Sequence, residues 1–266
     1  MVSPRLFCRL ALSFVFMLVL GKGAVEAAPG EQLRIETEVF LGEDPQPVSR
    51  TVTLFDTTTV YEFVEEKQVF VFRPPTSAHD GQFILLDLSS KQRTEVSTVR
   101  IGKLMEKVKR WAGEQEDELL RFSADPQFEE SYDKESGVLT LNHPLWKYSV
   151  ATIQADDKVA LHRYREFTDW YTQLNAMLYS TPPPGARLRL NAVLELHGVM
   201  PVEVRRTSES DSQSLRATHL FAWRLSREDR TRINQAQNYL ANFEKVDNES
   251  FLASRAKENV VRGQSR

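Results

Sequence analysis

Between Val48 and Arg100 the chain alternates strand and turn with little room for anything else. Val48–Phe55, Val60–Glu65, Gln68–Phe72 and Phe83–Leu88 are rich in β-branched and aromatic residues, and Arg93–Thr98 reads as a fifth strand. Val48, Val52 and Leu54 fall on one face of the first segment with Arg50, while Thr51, Thr53 and Phe55 take the other. Val69-Phe70-Val71-Phe72 is apolar on both faces, which predicts a central strand. Asp56-Thr57 and Asp87 to Arg93 supply the turns. Such a run commits the chain to an antiparallel sheet, and the rest must extend or cover it.

Upstream, Leu33, Ile35, Thr37 and Val39 alternate with Arg34, Glu36 and Glu38, predicting a half-buried strand. Downstream the period changes. Ile101, Leu104, Met105, Val108 and Trp111 have helical spacing, and Gly113 stops the helix. Phe128–Tyr132, Val138–Leu141 and Trp146–Ile153 return to strands, with Ser136-Gly137 as a turn. Asp156 and Asp157 begin the longest helix, Lys158–Tyr179, striped by Leu161, Tyr164, Phe167, Tyr171, Leu174 and Leu178 and widened by Trp170 and Met177. Such a stripe suits either packing against a sheet or lining an apolar cavity.

Thr181 to Gly185 reads as a stiff proline connector. Leu188, Leu190, Ala192, Leu194 and Leu196 alternate with other residues, predicting a strand that turns at His197–Met200 and returns through Pro201–Arg205. Ser208–Ser214 is a polar loop and Leu215–Arg224 a last strand. Ser226 and Asp229 form a capping box ahead of a half-buried helix carrying Ile233, Ala236, Leu240 and Phe243. The later strands make the Val48–Arg100 run the first half of one larger sheet.

The N-terminus has the pattern of a cleavable signal peptide over residues 1–27: Arg5 and Arg9, an apolar run from Leu10 to Leu20, and Val25-Glu26-Ala27 at the cleavage point. A periplasmic or secreted location follows as an expectation, with no transmembrane span after cleavage. Cleavage would remove the only cysteine, Cys8, so neither disulfides nor thiol chemistry is expected. It would also remove three cations (Arg5, Arg9, Lys22) and one carboxylate (Glu26), taking the net charge from −3 to −5. That balance disfavours nucleic acid as a partner. Residues 28–253 read as a single domain and 254–266 as a polar, basic, flexible tail.

No motif for a nucleophile elbow, phosphate loop or dinucleotide fold occurs. His79, His143, His162, His197 and His219 lack zinc spacing, so neither metal nor cofactor is expected. Glu65-Glu66 and Glu129-Glu130 would point to opposite strand faces, which makes them poor acid/base couples. Asn248-Glu249-Ser250 matches a glycosylation acceptor. A hydrolase assembling His143 or His197 with a carboxylate remains the weakest of the readings.

The segment Leu194–Arg206, with Gly198 and Pro201, resembles the strand–Gly–x–Pro–strand hairpin of the LolA/LolB-like envelope proteins, and Phe83–Val96 is similar to their strand–Asp–turn–strand hairpin. The spacing differs, with two residues between Gly198 and Pro201. The resemblance implies an α+β fold, a curved antiparallel sheet forming a half-open barrel covered by amphipathic helices. It also implies a non-enzymatic carrier of a lipid, an acyl chain or a lipoprotein; the helix stripes near 99–112 and 158–179 then offer Trp111, Phe167, Trp170, Tyr171 and Leu174 as the apolar lining. The alternative is a structural or interaction domain with a filled core, binding an envelope protein through a sheet edge or the C-terminal helix.

Overall fold

The computed structural model describes residues 32–65, 67–208 and 214–252. The expected signal peptide, its cysteine and the 254–266 tail lie outside the described residues. Twelve strands form one sheet. In chain order they are β1 (Leu33–Leu41), β2 (Ser49–Asp56), β3 (Thr59–Val64), β4 (Gln68–Arg73), β5 (Gln82–Asp87), β6 (Gln92–Ser97), β7 (Glu129–Asp133), β8 (Val138–His143), β9 (Trp146–Gln154), β10 (Val199–Ser208), β11 (Leu215–Ala222) and β12 (Glu244–Lys245). The helices are α1 (Thr98–Gly113), α2 (Glu118–Ala124), α3 (Lys158–Tyr179), α4 (Gly185–His197) and α5 (Arg227–Asn242), with a further helical turn over 248–252.

The spatial order is β12-β6-β5-β4-β3-β2-β1-β11-β10-β9-β8-β7. All pairings are antiparallel except the short parallel contact of β12 with β6. The sheet is therefore α+β in class and open, with β12 and β7 at its edges. Two meanders, β1–β6 and β7–β10, are fastened together by β11.

The register explains the layers. Leu33, Phe55, Val60, Phe72, Phe83 and Val96 lie in one row across six strands, and α1 and α3 pack on it through Ile101, Met105, Phe167 and Leu174. The same face continues through Val39, Ala217, Val204, Val150 and Leu139. There α4 covers it with Ala186, Leu190, Val193 and Leu194. We call this the inner face. On the outer face, Leu54, Tyr61, Val71 and Ile84 meet Ile233 and Ala236 of α5.

Helix ends follow their local chemistry. The Asp157 carboxylate accepts from the backbone N–H groups of Val159 (2.8 Å) and Ala160 (3.1 Å) and starts α3. Ser226 and Asp229 form the expected capping box of α5, and Asp229 also binds Arg34 of β1 at 3.0 Å, clamping the helix to the outer face.

Several segments depart from the sequence reading. The expected strand at 188–196 is helix α4, so Leu194–Arg206 is a helix end followed by a strand rather than a hairpin. Its apolar residues satisfy two periods at once. Alternation picks Leu188, Leu190, Leu194 and Leu196; helical spacing picks Ala186, Leu190, Val193 and Leu194, which are the buried ones. Strong helix formers dominate the segment, Val193 is its only β-branched residue, and Gly198 closes it at φ 70° in the left-handed region. The proline connector also ends inside the helix, because Gly185 lies in its first turn. A Cβ on Gly185 would collide with the Ser123 carbonyl oxygen, so α4 approaches α2 in a way only glycine permits. Helix α2 itself, which Asp117 caps, lies where no element is expected. Phe83–Val96 is the hairpin anticipated, with Asp87 accepting from the N–H groups of Ser89 and Ser90.

Candidate functional site

Of the five residues expected to line a ligand site, Phe167, Trp170, Tyr171 and Leu174 gather in one cluster and Trp111 lies outside it. Phe167 and Leu174 are buried in the inner core. The Phe167 ring lies 5.7 Å from Phe55, 5.9 Å from Phe72 and 5.3 Å from Tyr171, which itself meets Phe70 at 5.5 Å. Trp170 packs on the margin of the same cluster. Beneath the middle of α3 the inner face is filled. Trp111 stands apart, 52% exposed near the end of α1.

Space exists at the other end of α3. A cavity of about 520 Å³ lies between β5–β6, α1, the last turn of α3 and the 248–252 turn. Leu85, Val96 and Phe251 form its apolar floor, and Leu104, Met177 and Leu178 its walls. The strap after α5 makes the floor possible. It leaves the outer face, runs beside β6, and returns Phe251 to the inner core, held by the Thr94 hydroxyl donating to the Val246 carbonyl (3.0 Å). Arg100, Lys103 and Lys107 stand at the rim, exposed, and none of them pairs with a carboxylate among the described residues.

A second groove of about 580 Å³ runs between α1, the 124–128 loop and the start of α4. Its charges are mixed: Glu106 and Asp125 alternate with Lys109 and Arg189, and Lys109 pairs with Asp125 at 3.4 Å. It therefore carries no net preference for an anion or a cation.

Polar groups also lie between the sheet, α3 and α4, with Glu62 and Asn191 buried and His219 and Asp169 half-buried. Glu62 of β3 points inward between Thr53 and Phe70, and the Thr53 hydroxyl donates to it. Burial pushes its carboxyl up to about 7, against the Thr53 and Thr51 hydroxyls, which favour the charged form. Across β1, His219 bonds Thr37 through Nδ1 at 2.9 Å. Burial, helped by the Arg187 cation, lowers its pKa to about 3. Burial also raises Asp169, although Asn191 donates to it at 2.8 Å.

The two extreme groups pull stability in opposite directions. Glu62 contributes most below its ordinary value of 4.5 and loses that contribution as pH rises through about 7. His219 contributes most above 6.5 and loses it as pH falls towards about 3. Between 4.5 and 6.5 the slopes are equal and opposite, so their sum is flat there.

Of the histidines weighed for hydrolysis, His197 meets Glu130 at 2.8 Å through Nε2 and tilts on Tyr132, tying the end of α4 to β7. His143 stacks on Phe122 at 4.1 Å and accepts from the Leu145 N–H through Nδ1. These contacts pack and pair the rings. No three potential ligands cluster to hold a metal among the described residues, and no described helix is long and apolar enough to cross a membrane.

No protein-family model matches the sequence, and no curated protein matches it.

The cavity was missed in the sequence for a physical reason. Its floor residues lie on strands β5 and β6 and on a turn some 155 residues further on, brought together only by the strap. The available signal was the run of cations at 100, 103 and 107 flanking Leu104.

Proposed function

We propose that this is a non-enzymatic exported protein that shields an apolar ligand, such as an acyl chain, in the cavity between β5–β6, α1 and the end of α3. The observation that carries the reading is the cavity: about 520 Å³, apolar at its floor and rimmed by the exposed cations Arg100, Lys103 and Lys107. That volume falls within the roughly 300–1,000 Å³ of small-molecule sites. Each methylene taken from water into it gives about 0.8 kcal/mol. Of the two segments that carry the resemblance to the LolA/LolB-like carriers only the Phe83–Val96 hairpin is present, so the reading rests on the cavity, which lies at one end of α3 rather than along Phe167–Leu174.

The test is displacement of a fluorescent fatty-acid probe, together with native mass spectrometry for co-purified lipid. Leu104→Trp, which fills the cavity from its half-exposed wall, is expected to weaken probe binding at least tenfold, while Trp170→Ala lowers stability and leaves probe affinity unchanged. Absence of both probe binding and bound lipid overturns the proposal.

The second reading, an interaction domain with a filled core, draws on the packing of Phe167 against Phe55, Phe72 and Tyr171. It gains ground if Leu104→Trp leaves the protein's behaviour unaltered.

A further inference from the structure

Helix α1 carries Arg100, Lys103, Lys107, Lys109 and Arg110 against a single carboxylate, Glu106, in a protein whose overall charge is negative. Its spacing matters more than its count. Arg100, Lys103, Lys107 and Trp111 succeed one another at three- and four-residue intervals, so they form one stripe along the helix. The opposite side, with Ile101, Met105 and Ala112, is buried. Trp111 closes the stripe 52% exposed, and Val99 opens the helix 42% exposed. The same three cations form the rim of the cavity.

We propose that α1 docks the protein on an anionic lipid surface, with Arg100, Lys103 and Lys107 facing the headgroups and Trp111 seated at the interface. Clustered cations are attracted to anionic lipid at about 1 kcal/mol each, and tryptophan partitions to the headgroup level. Among the described residues no carboxylate pairs with them, which leaves their charge available to an outside surface. The mouth of the cavity then faces the bilayer, where an acyl chain can pass between membrane and protein without crossing water. The docking extends the ligand reading above but does not depend on the cavity being occupied.

The experiment is sedimentation with vesicles of phosphatidylcholine alone and with 30% phosphatidylglycerol. Binding is expected only to the anionic vesicles and is expected to disappear in 0.5 M salt. Substituting Arg100→Gln, Lys103→Gln and Lys107→Gln together, all at exposed positions, should weaken it on the order of a hundredfold. Brominated lipid should quench tryptophan emission in the native protein and not in Trp111→Phe. Arg227→Gln on α5, distant from the stripe, should change nothing. Equal binding to neutral vesicles, no binding to either, or full binding by the triple variant overturns the proposal. Capture by polyglutamate without vesicle binding overturns it in favour of an acidic protein partner. Leu104→Trp separates the two proposals: it should weaken probe binding in solution at least tenfold and leave vesicle binding intact.

Discussion

Strands β3–β5 bury apolar side chains on both faces, whereas β8 and β9 bury them on one. Under α1 and α3 lie Val60, Phe70, Phe72 and Phe83; on the reverse, Tyr61, Val71 and Ile84 meet α5. In the other half, Leu139, Leu141, Tyr148 and Val150 face α4, while Asn142 and Lys147 on the reverse are exposed. On the outer face beyond α5, Arg216 lies over Phe40 at 4.0 Å and Leu220 is 64% exposed. One helix placed outside makes the difference. It converts half of a two-layer domain into three layers and puts the most hydrophobic strands in the middle layer.

The contrast can be broken by mutation. Phe167→Ala removes a ring from the inner core of the three-layer half and is expected to cost about 4 kcal/mol; Leu190→Ala, in the two-layer half, about 3 kcal/mol. Because β11 and the α3–α4 packing join the halves, both variants should shift a single urea transition. If Leu190→Ala instead produces two transitions, with amide protection of β3–β5 unchanged, the halves are separate units.

Glu62 is a buried carboxyl in the three-layer half whose pKa burial raises, and removing its charge should strengthen that half. From 4.5 to about 7 is worth roughly 3 kcal/mol at 1.36 kcal/mol per unit, a penalty present at pH 8 and absent below 4.5. Glu62→Gln is therefore expected to stabilise the protein by about that amount at pH 8 and to have no effect at pH 4, measured by denaturation across pH. Equal effects at both values would remove ionisation as the cause.

The smallest effect is expected on the uncovered outer face. Leu220→Ser should change stability by less than about 0.5 kcal/mol. A loss above 2 kcal/mol would mean that something covers this face in solution.

The three-layer half was the legible one. Strands apolar on both sides leave little choice of structure, and β2–β6 run where the residues of Val48–Ser97 predict them. The two-layer half was ambiguous because a segment needing one buried face can satisfy either period. Val138–Leu141 and Trp146–Ile153 contain enough β-branched and aromatic residues to read as strands. Arg187–Leu196 does not, and its leucines fit both patterns. At the candidate site, the cations of α1 were visible but the floor beneath them was not. Phe251 reaches it only because two residues of β12 and the Thr94 hydroxyl route the chain round the edge of β6. The aromatic stripe of α3 was visible too, yet a stripe does not say whether the facing strands supply rings to fill the gap. Here Phe55, Phe72 and Phe83 do.

The ladder between β1 and β11 joins Arg34 to Ala222. During synthesis, both meanders emerge before the strand that fastens them. A chain that stops at residue 210 leaves β1 and β10 with unpaired backbone groups along one side of each, the kind of edge that recruits foreign strands. The strap that finishes the opposite border comes later still. Any truncation short of β11 is therefore expected to aggregate rather than to form a smaller domain, and the nascent chain has most need of a chaperone until β11 is free to pair.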